Sequence, residues 1–248
     1  MSKAVSTEIS ESVEYAGKDL EAMSFAENYH RWILDIFQPY LGSRLVEVGA
    51  GTGAFSELIL ERRPASLSLV EPSEMYRILT GRLAGMKTAT ELKTYNSIFS
   101  RVAPEIAERQ RPDSILYVNV LEHVPEDEAE LRAVSETLVS GGRVFLFVPA
   151  LRWLYGSFDE LVGHFRRYTK RELEEKCRRA GFRVLTSGYL DLPGVLPWWV
   201  KYCVVKSPAM EPGAVRFYDR YFIPFIKRAE TLVRPPIGKN LFLVAEKV

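Results

Sequence analysis

A glycine-rich turn carries the strongest chemical signal in the sequence. The run Glu47-Val48-Gly49-Ala50-Gly51-Thr52-Gly53 follows a strand-like apolar run and leads into a helical pattern. Glycines at such a turn let the backbone come close to a ligand, and the helix that follows offers free N–H groups. The second and third glycines are one residue closer than in the dinucleotide fingerprint G-x-G-x-x-G. The run therefore predicts a small-molecule site, and its spacing disfavours a dinucleotide as the ligand.

A second acid, Glu71, ends the next predicted strand, 18 residues after Gly53. A carboxylate at the tip of that strand can accept both hydroxyl groups of a ribose in the crevice. The plainer interpretation is a surface acid after a strand. We favour the ribose role, because both the position and the context match.

The segment 149–168 combines an imidazole, acids, guanidinium groups and phenols after the fifth predicted strand. Ligands of open α/β sheets bind at this edge. His164 is the candidate general base, because an imidazole with a pKa of about 6.5 accepts a proton at cellular pH. A role in tying the loop to backbone carbonyls is equally compatible with the pattern. The candidate substrate contacts are Tyr155, Asp159, Arg166, Arg167, Tyr168, Trp198 and Trp199.

The elements that position these residues alternate between strand-like and helical patterns, which indicates a parallel sheet with crossover helices. A helix is expected to open at Pro125, and the capping box Thr169–Glu172 is expected to open another. Cys177 lies on the apolar stripe of that second helix, so we expect a buried thiol. The predicted strands are Arg44–Val48, Ser66–Val70, Leu92–Asn96, Ser114–Val118, Arg143–Val148, Phe182–Ser187 and Asn240–Glu246.

Three motifs in this order resemble the class I S-adenosylmethionine-dependent methyltransferases: the glycine turn, Val70-Glu71-Pro72-Ser73, and Asn119-Val120-Leu121-Glu122-His123-Val124. The resemblance covers roughly residues 29–188 and the last strand. It implies an α/β, Rossmann-like fold with a seven-stranded sheet, mostly parallel with an antiparallel last strand, and helices on both faces. It also implies S-adenosylmethionine as the cofactor.

The same resemblance implies which residues hold that cofactor. The glycines would cradle its methionine part, Glu71 its ribose and residues 96–98 its adenine, with Tyr29 as an additional contact. The implied set is Tyr29, Glu47, Gly49, Ala50, Gly51, Thr52, Gly53, Glu71, Pro72, Ser73, Asn96, Ser97, Ile98, Asn119, Val120 and Leu121.

Two shorter motifs narrow the resemblance. The run Leu121–Val124 is similar to the ubiquinone-type O-methyltransferases, some of which hold a divalent cation with this Glu-His pair and a preceding carboxylate. Here the preceding position is Asn119, so we expect no metal and place Glu122 and His123 in the cofactor pocket, with His123 as a second catalytic candidate. The run Gly163–Tyr168 resembles a subgroup of bacterial methyltransferases.

We divide the chain into an N-terminal helical lid (1–43), the cofactor-binding core (44–189), a substrate cap inserted at 190–238 and the last strand (239–248). The cap holds seven of the 14 prolines, which predicts a rigid, irregular segment. It could recognise an apolar or lipid-like substrate and contact a membrane peripherally. We favour the plainer interpretation, in which Trp198 and Trp199 pack the cap onto the sheet.

Composition limits the other possibilities. The 248 residues carry a net charge of +1, which argues against a polyanionic partner, although residues 166–183 are basic. Two cysteines cannot build a disulfide framework, and the acidic N-terminus does not have the pattern of a signal peptide, so we expect a cytoplasmic protein. The favoured function is O-methylation of a small molecule, ahead of N- or C-methylation. The alternatives are a non-catalytic cofactor-binding protein, a nucleic-acid methyltransferase and an NAD(P)-dependent oxidoreductase; the oligomeric state stays open.

Overall fold

A seven-stranded mixed sheet forms the centre of the protein. The computed structural model describes residues 26–248, so most of the predicted N-terminal lid lies outside the described residues. The strand order is β3-β2-β1-β4-β5-β7-β6, with β1 to β5 parallel and β7 antiparallel to both of its neighbours. The strands are β1 Arg44–Val48, β2 Ser66–Val70, β3 Glu91–Tyr95, β4 Ser114–Val118, β5 Arg143–Pro149, β6 Phe182–Leu190 and β7 Asn240–Lys247. The predicted fold class is confirmed.

Both faces of the sheet are buried, which explains why its central strands are almost continuously apolar. In β5, Val144 and Leu146 pack into the core on one face, whereas Phe145 and Phe147 pack into the core on the other. Helices cover the two faces and complete the layers. They are α1 Glu27–Phe37, α2 Ala54–Glu61, α3 Met75–Leu83, α4 Phe99–Arg109, α5 Asp127–Thr137, α6 Ser157–Leu161, α7 Lys170–Arg179, α8 Val195–Trp198, α9 Pro212–Tyr221 and α10 Ile223–Leu232.

Local sequence signals predicted several features of these elements correctly. The capping box of α7 forms, with the Thr169 hydroxyl accepting from the Glu172 N–H. Cys177 is fully buried, as its place on the apolar stripe predicts. The helix expected at Pro125 begins two residues later, at Asp127.

The sixth strand is longer than predicted. It continues to Leu190, which pairs with Asn240 of β7. An irregularity between Val184 and Thr186 shifts the register of this pairing. The added residues begin with Gly188, and glycine is depleted in strands, so the pattern beyond Ser187 did not indicate one.

The segment between β6 and β7 is helical, contrary to the irregular cap that its prolines predicted. Pro212 begins α9 and Pro224 is the second residue of α10. A first turn tolerates proline because its N–H groups have no partner within the helix and its φ is already helical. Within residues 26–248, no helix is both long and apolar enough to cross a membrane.

Candidate functional site

The glycine turn joins β1 to α2, and its three glycines have φ values of +71°, +54° and +84°. A Cβ atom at Gly49 would collide with the Val120 side chain, and one at Gly53 would lie 2.8 Å from Leu79 Cδ1. A Cβ atom at Gly51 would have no described atom within 4 Å. The outer glycines thus allow close packing within the protein, whereas the middle one borders open space that a ligand can use.

Glu71 is bound to this turn. Its carboxylate accepts the Gly51 N–H at 2.8 Å and, from Ser73, the N–H at 2.9 Å and the hydroxyl at 2.5 Å. The structure therefore brings together two positions that the sequence assigned to one cofactor. The contact of Glu71 with a ribose stays a prediction.

Glu47 is buried next to the same turn. Its carboxylate accepts a hydrogen bond from the Ser56 hydroxyl at 2.5 Å. Burial raises the pKa of Glu47 to about 8, and the charge of Glu71 adds to the shift. Glu47 therefore holds a proton at neutral pH when it has only these neighbours.

The other predicted cofactor residues follow the carboxyl ends of β3 and β4, at the edge of the sheet where such ligands bind. Asn96 and Ile98 are exposed beyond β3. Asn119 follows β4 with a φ of +54°, which is uncommon outside glycine. The Leu121 side chain packs in the core instead, so it offers no surface to a ligand.

A cavity of about 300 Å³ adjoins Asn119. Its wall is mostly apolar and aromatic, as in sites for small organic molecules. The loop 149–168, α1 and the segment between β6 and β7 enclose it. Of the predicted site residues, the cavity is lined by Tyr29, Asn119, His123, His164, Arg167 and Trp198.

His164 is held in one orientation by Asp159. The His164 Nδ1 lies 2.7 Å from Asp159 Oδ1, which also accepts the Arg167 Nε–H at 2.8 Å. Burial alone would raise the pKa of Asp159, but the hydrogen bonds and charges of His164 and Arg167 lower it below its ordinary value. An ionised carboxylate only accepts hydrogen bonds, so the His164 Nδ1–H is the donor in this contact.

Glu122 and His123 lie beside this pair. Glu122 is fully buried and, among the described residues, neither carboxylate oxygen has a hydrogen-bond partner. Burial raises the pKa of Glu122 to about 7. Burial and the neighbouring His164 lower the pKa of His123 to about 3, so this imidazole is neutral at cellular pH.

The ligand atoms of Glu122, His123 and His164 all lie within 4.8 Å of one another. A single divalent cation can bridge that spacing, with Asp159 orienting His164 from behind. A proton on Glu122 would neutralise its buried carboxylate equally well, and His164 Nε2 lies 3.8 Å from Glu122 Oε1. The sequence associated Glu122 with His123, but it did not indicate that the loop 149–168 brings His164 to the same place.

Two predicted substrate contacts prove to be buried partners within the protein. Tyr168 is fully buried, and its hydroxyl donates to Asp127 Oδ2 at 2.8 Å. Asp159 is also fully buried and is bound to His164 and Arg167. Neither side chain lines the cavity. These partners account for both polar groups within the protein, and a role in substrate contact stays a prediction.

Three more predicted contacts lie outside the cavity lining. Arg166 pairs with Asp127 at 2.8 Å and also donates to the Pro125 carbonyl. The Tyr155 hydroxyl donates to the His164 carbonyl at 2.7 Å. Trp199 is 41% exposed on the outside of the protein. Their assignment as substrate contacts stays a prediction, without support from the cavity lining.

Sequence reasoning missed the contribution of the chain around β7. Lys239 pairs with Asp191 at 2.9 Å, and its ammonium group lies 5.4 Å from the Tyr29 ring centroid and 5.5 Å from that of Trp198. Asn240 donates to the Tyr29 hydroxyl at 2.6 Å. Tyr29 is thereby fixed in the cavity wall. The only sequence signal was a polar Lys-Asn pair at the start of an otherwise apolar strand.

Comparisons with known proteins identify the family of the chain. A family model described as a methyltransferase domain matches residues 15–187. A ubiquinone biosynthesis O-methyltransferase of Aeromonas salmonicida is 29% identical over 118 residues, which are 46% of this chain and 47% of that protein. The chain thus matches about half the length of this curated relative.

Solved structures share the fold. A methyltransferase from Archaeoglobus fulgidus that depends on S-adenosylmethionine (SAM) has a TM-score of 0.61 at 17% identity, covering 92% of this chain and 98% of that one. The 1,6-didemethyltoxoflavin-N1-methyltransferase of Burkholderia thailandensis, solved with bound 1,6-didemethyltoxoflavin and S-adenosylhomocysteine, has a TM-score of 0.55 at 16% identity, covering 94% of this chain and 82% of that one.

The chain belongs to the methyltransferase domain family, because the family model matches well over half of its residues. S-adenosyl-L-methionine is the cofactor that the sequence resemblance implies. The open space at Gly51 and the carboxylate of Glu71 fit that cofactor.

Proposed function

We propose that this methyltransferase methylates a hydroxyl oxygen of an apolar small molecule bound in the cavity. The observation that carries the proposal is the Asp159–His164 pair, whose imidazole lines that cavity. The curated relative from Aeromonas salmonicida supports the choice of oxygen, because it is named an O-methyltransferase.

The cofactor side of the site would be formed by the carboxyl ends of the first four strands. The glycine turn would hold the methionine part, Glu71 the ribose, and Asn96 and Ile98 the adenine, while Asn119 would separate the cofactor from the cavity. When bound, the cofactor supplies an activated methyl group on a sulfonium, so positioning of the acceptor contributes most of the catalysis.

His164 would act as the general base. Its Nδ1–H donates to Asp159, so Nε2 accepts the proton of the substrate hydroxyl while the oxygen gains the methyl group. The O–H bond breaks, a new N–H bond forms on the imidazole, and Asp159 stabilises the resulting imidazolium. His123 stays neutral beside it and adds no positive charge that would oppose this proton transfer.

The cavity wall would select and orient the acceptor. Its Trp198, Tyr202 and Tyr218 side chains offer aromatic surfaces. The guanidinium of Arg167 lies 4.7 Å from the Trp198 ring centroid and fixes one side of that wall. A mostly apolar wall would exclude water and hold the hydroxyl next to His164, one of the polar side chains of the lining.

The test compares wild type with His164→Ala in an assay of S-adenosylhomocysteine release. The panel contains phenols with alkyl chains, carboxylates and amines. We expect turnover of a phenol by wild type and a loss of about 10²–10⁴-fold in kcat for the variant. Cofactor affinity, measured by calorimetry, should not change. The variant should regain activity as the pH rises, because a phenolate needs no base.

The matched control is His30→Ala, which removes a buried imidazole of α1 that does not line the cavity. It should keep wild-type kcat. Unchanged turnover by His164→Ala with intact cofactor affinity would exclude His164 as the base. Turnover of amines alone would contradict O-methylation, and no turnover of any compound would favour the non-catalytic alternative.

A further inference from the structure

Helix α10 is apolar on two opposite faces. Ile223 and Ile226 are buried against the rest of the protein, whereas Phe225 is 76% exposed and Leu232 is 80% exposed. A surface helix normally buries its apolar stripe and shows water a polar one. The outer face of α10 is therefore as apolar as helix faces that are normally buried.

The exposed face continues onto α9. The ring centroids of Phe217 and Tyr221 lie 5.1 Å apart, and those of Phe217 and Phe222 lie 5.9 Å apart. All three rings are about half exposed. Helices α9 and α10 thus present one outward aromatic and aliphatic surface, which we call the cap face: Phe217, Tyr221, Phe222, Phe225, Leu232 and Val233.

Acidic side chains of the same segment turn away from the cap face. Asp219 accepts backbone N–H groups of α1, Glu230 accepts two backbone N–H groups next to β6, and Asp191 pairs with Lys239. Three of the four acids between residues 190 and 238 are used in this way; Glu211 is the exposed one.

Basic side chains remain on the outside. The exposed bases of the segment are Lys206, Arg216, Arg220, Arg228 and Arg234. Arg228 follows Phe225 by three residues, and Arg220 lies over the Tyr221 ring at 5.7 Å. Positive charge thus adjoins the cap face at Arg220 and Arg228, although the whole chain has a net charge of only +1.

We propose that the cap face binds the surface of an anionic lipid bilayer. Apolar side chains would enter the boundary between headgroups and acyl chains, and the arginines would contact the negative headgroups. An exposed apolar patch with basic side chains at its edge favours an anionic bilayer over a second copy of the chain. Two copies would bring positive charge together at their interface.

The position of the cap face suggests a use, which rests on the proposed function. Val215, Tyr218 and Ile223 line the cavity from the same two helices. The cavity wall and the bilayer-binding surface are therefore opposite sides of one helical pair. An apolar acceptor dissolved in the bilayer would have a short path to His164.

The experiment is co-sedimentation of the full chain with sucrose-loaded vesicles. One set contains phosphatidylcholine alone, and the other contains equal parts of phosphatidylcholine and phosphatidylglycerol. We expect binding to the anionic vesicles and at least about tenfold weaker binding by Phe225→Glu, since burial of one phenylalanine contributes about 1.5–3 kcal/mol. Arg228→Ala should weaken binding about fivefold, since each base near such a surface contributes ~1 kcal/mol.

The control is Ile78→Glu, which places the same charge at an exposed apolar position on α3, outside the cap face; its binding should equal that of wild type. The measurement needs neither cofactor nor turnover, so its failure leaves the proposed O-methylation untouched. Absence of wild-type binding to anionic vesicles, or full binding by Phe225→Glu, would overturn the proposal. A lipid-free dimer that Phe225→Glu dissociates would also overturn it, because a second copy would then cover the face.

Discussion

Replacing Gly51 by alanine separates the ligand-binding role of the glycine turn from its role in folding. Gly51 has a φ of +54° and open space where a Cβ atom would lie. The left-handed conformation costs an alanine about 1–2 kcal/mol, which lowers Tm by roughly 2–8 °C in a chain of this size. We expect the variant to fold and to lose much of its cofactor affinity, because its methyl group occupies space that the cofactor needs.

Gly141→Ala is the matched control. Gly141 has a φ of +72°, and a Cβ atom there would also have no described atom within 4 Å, but it lies between α5 and β5 instead of in the glycine turn. Both variants should therefore lose similar stability. Only Gly51→Ala should lose affinity, by about fivefold to 150-fold if the added methyl group costs roughly 1–3 kcal/mol in a close-fitting site.

The assay measures Tm with and without S-adenosylhomocysteine, followed by calorimetric titration. A ligand at about 100 times its Kd stabilises the folded state by ~2.7 kcal/mol, so wild type and Gly141→Ala should show a clear increase in Tm. Gly51→Ala should show a much smaller one at the same concentration. Equal affinity of the two variants would refute the assignment of Gly51 to the cofactor site.

Two further predictions concern buried carboxyl groups. The pKa of Glu47 is raised from 4.5 to about 8, so the folded protein holds a proton that the unfolded chain releases; its contribution to stability is lost as the pH rises from about 5 to 8. The free energy of unfolding, measured with urea, should therefore fall by up to ~1.4 kcal/mol per pH unit in this range. Glu47→Gln should remove this pH dependence. Methyl transfer should survive dialysis against EDTA, because a proton on Glu122 already removes its buried charge; loss of activity that Mn²⁺ restores would instead assign a cation to Glu122, His123 and His164.

The sheet was predictable because each strand is a local pattern. The runs that became β1, β2 and β4 match their predicted bounds, and an apolar run bounded by turns needs no knowledge of distant residues. The glycine turn and Glu71 were found for the same reason. Parallel strands place their carboxyl ends at one edge, so the sequence order alone brings these two positions together.

The cap and the substrate side were not predictable in this way. In a sequence, Pro212 and Pro224 indicate breaks in regular structure. They are compatible with a helix only in its first turn, and the sequence alone does not show where each helix begins. Polarity in the loop 149–168 suggested contacts with a substrate, but the partner of Tyr168 is Asp127, 41 residues earlier. Whether a polar side chain faces a ligand or another buried polar group depends on such distant pairing, which a single sequence does not display.

The ends of the cap meet at the last pair of the β6–β7 ladder. Asp191 follows Leu190, and Lys239 precedes Asn240, whose partner in the ladder is Leu190. The Lys239 N–H donates to the Asp191 carbonyl at 3.2 Å, and their side chains form an ion pair. The chain between these two residues therefore leaves the sheet and returns to it at the same place. Segments of different length can be exchanged there without altering the register of the strands. A change of acceptor preference could thus arise by replacing one segment, while the methyl-donor site keeps its geometry.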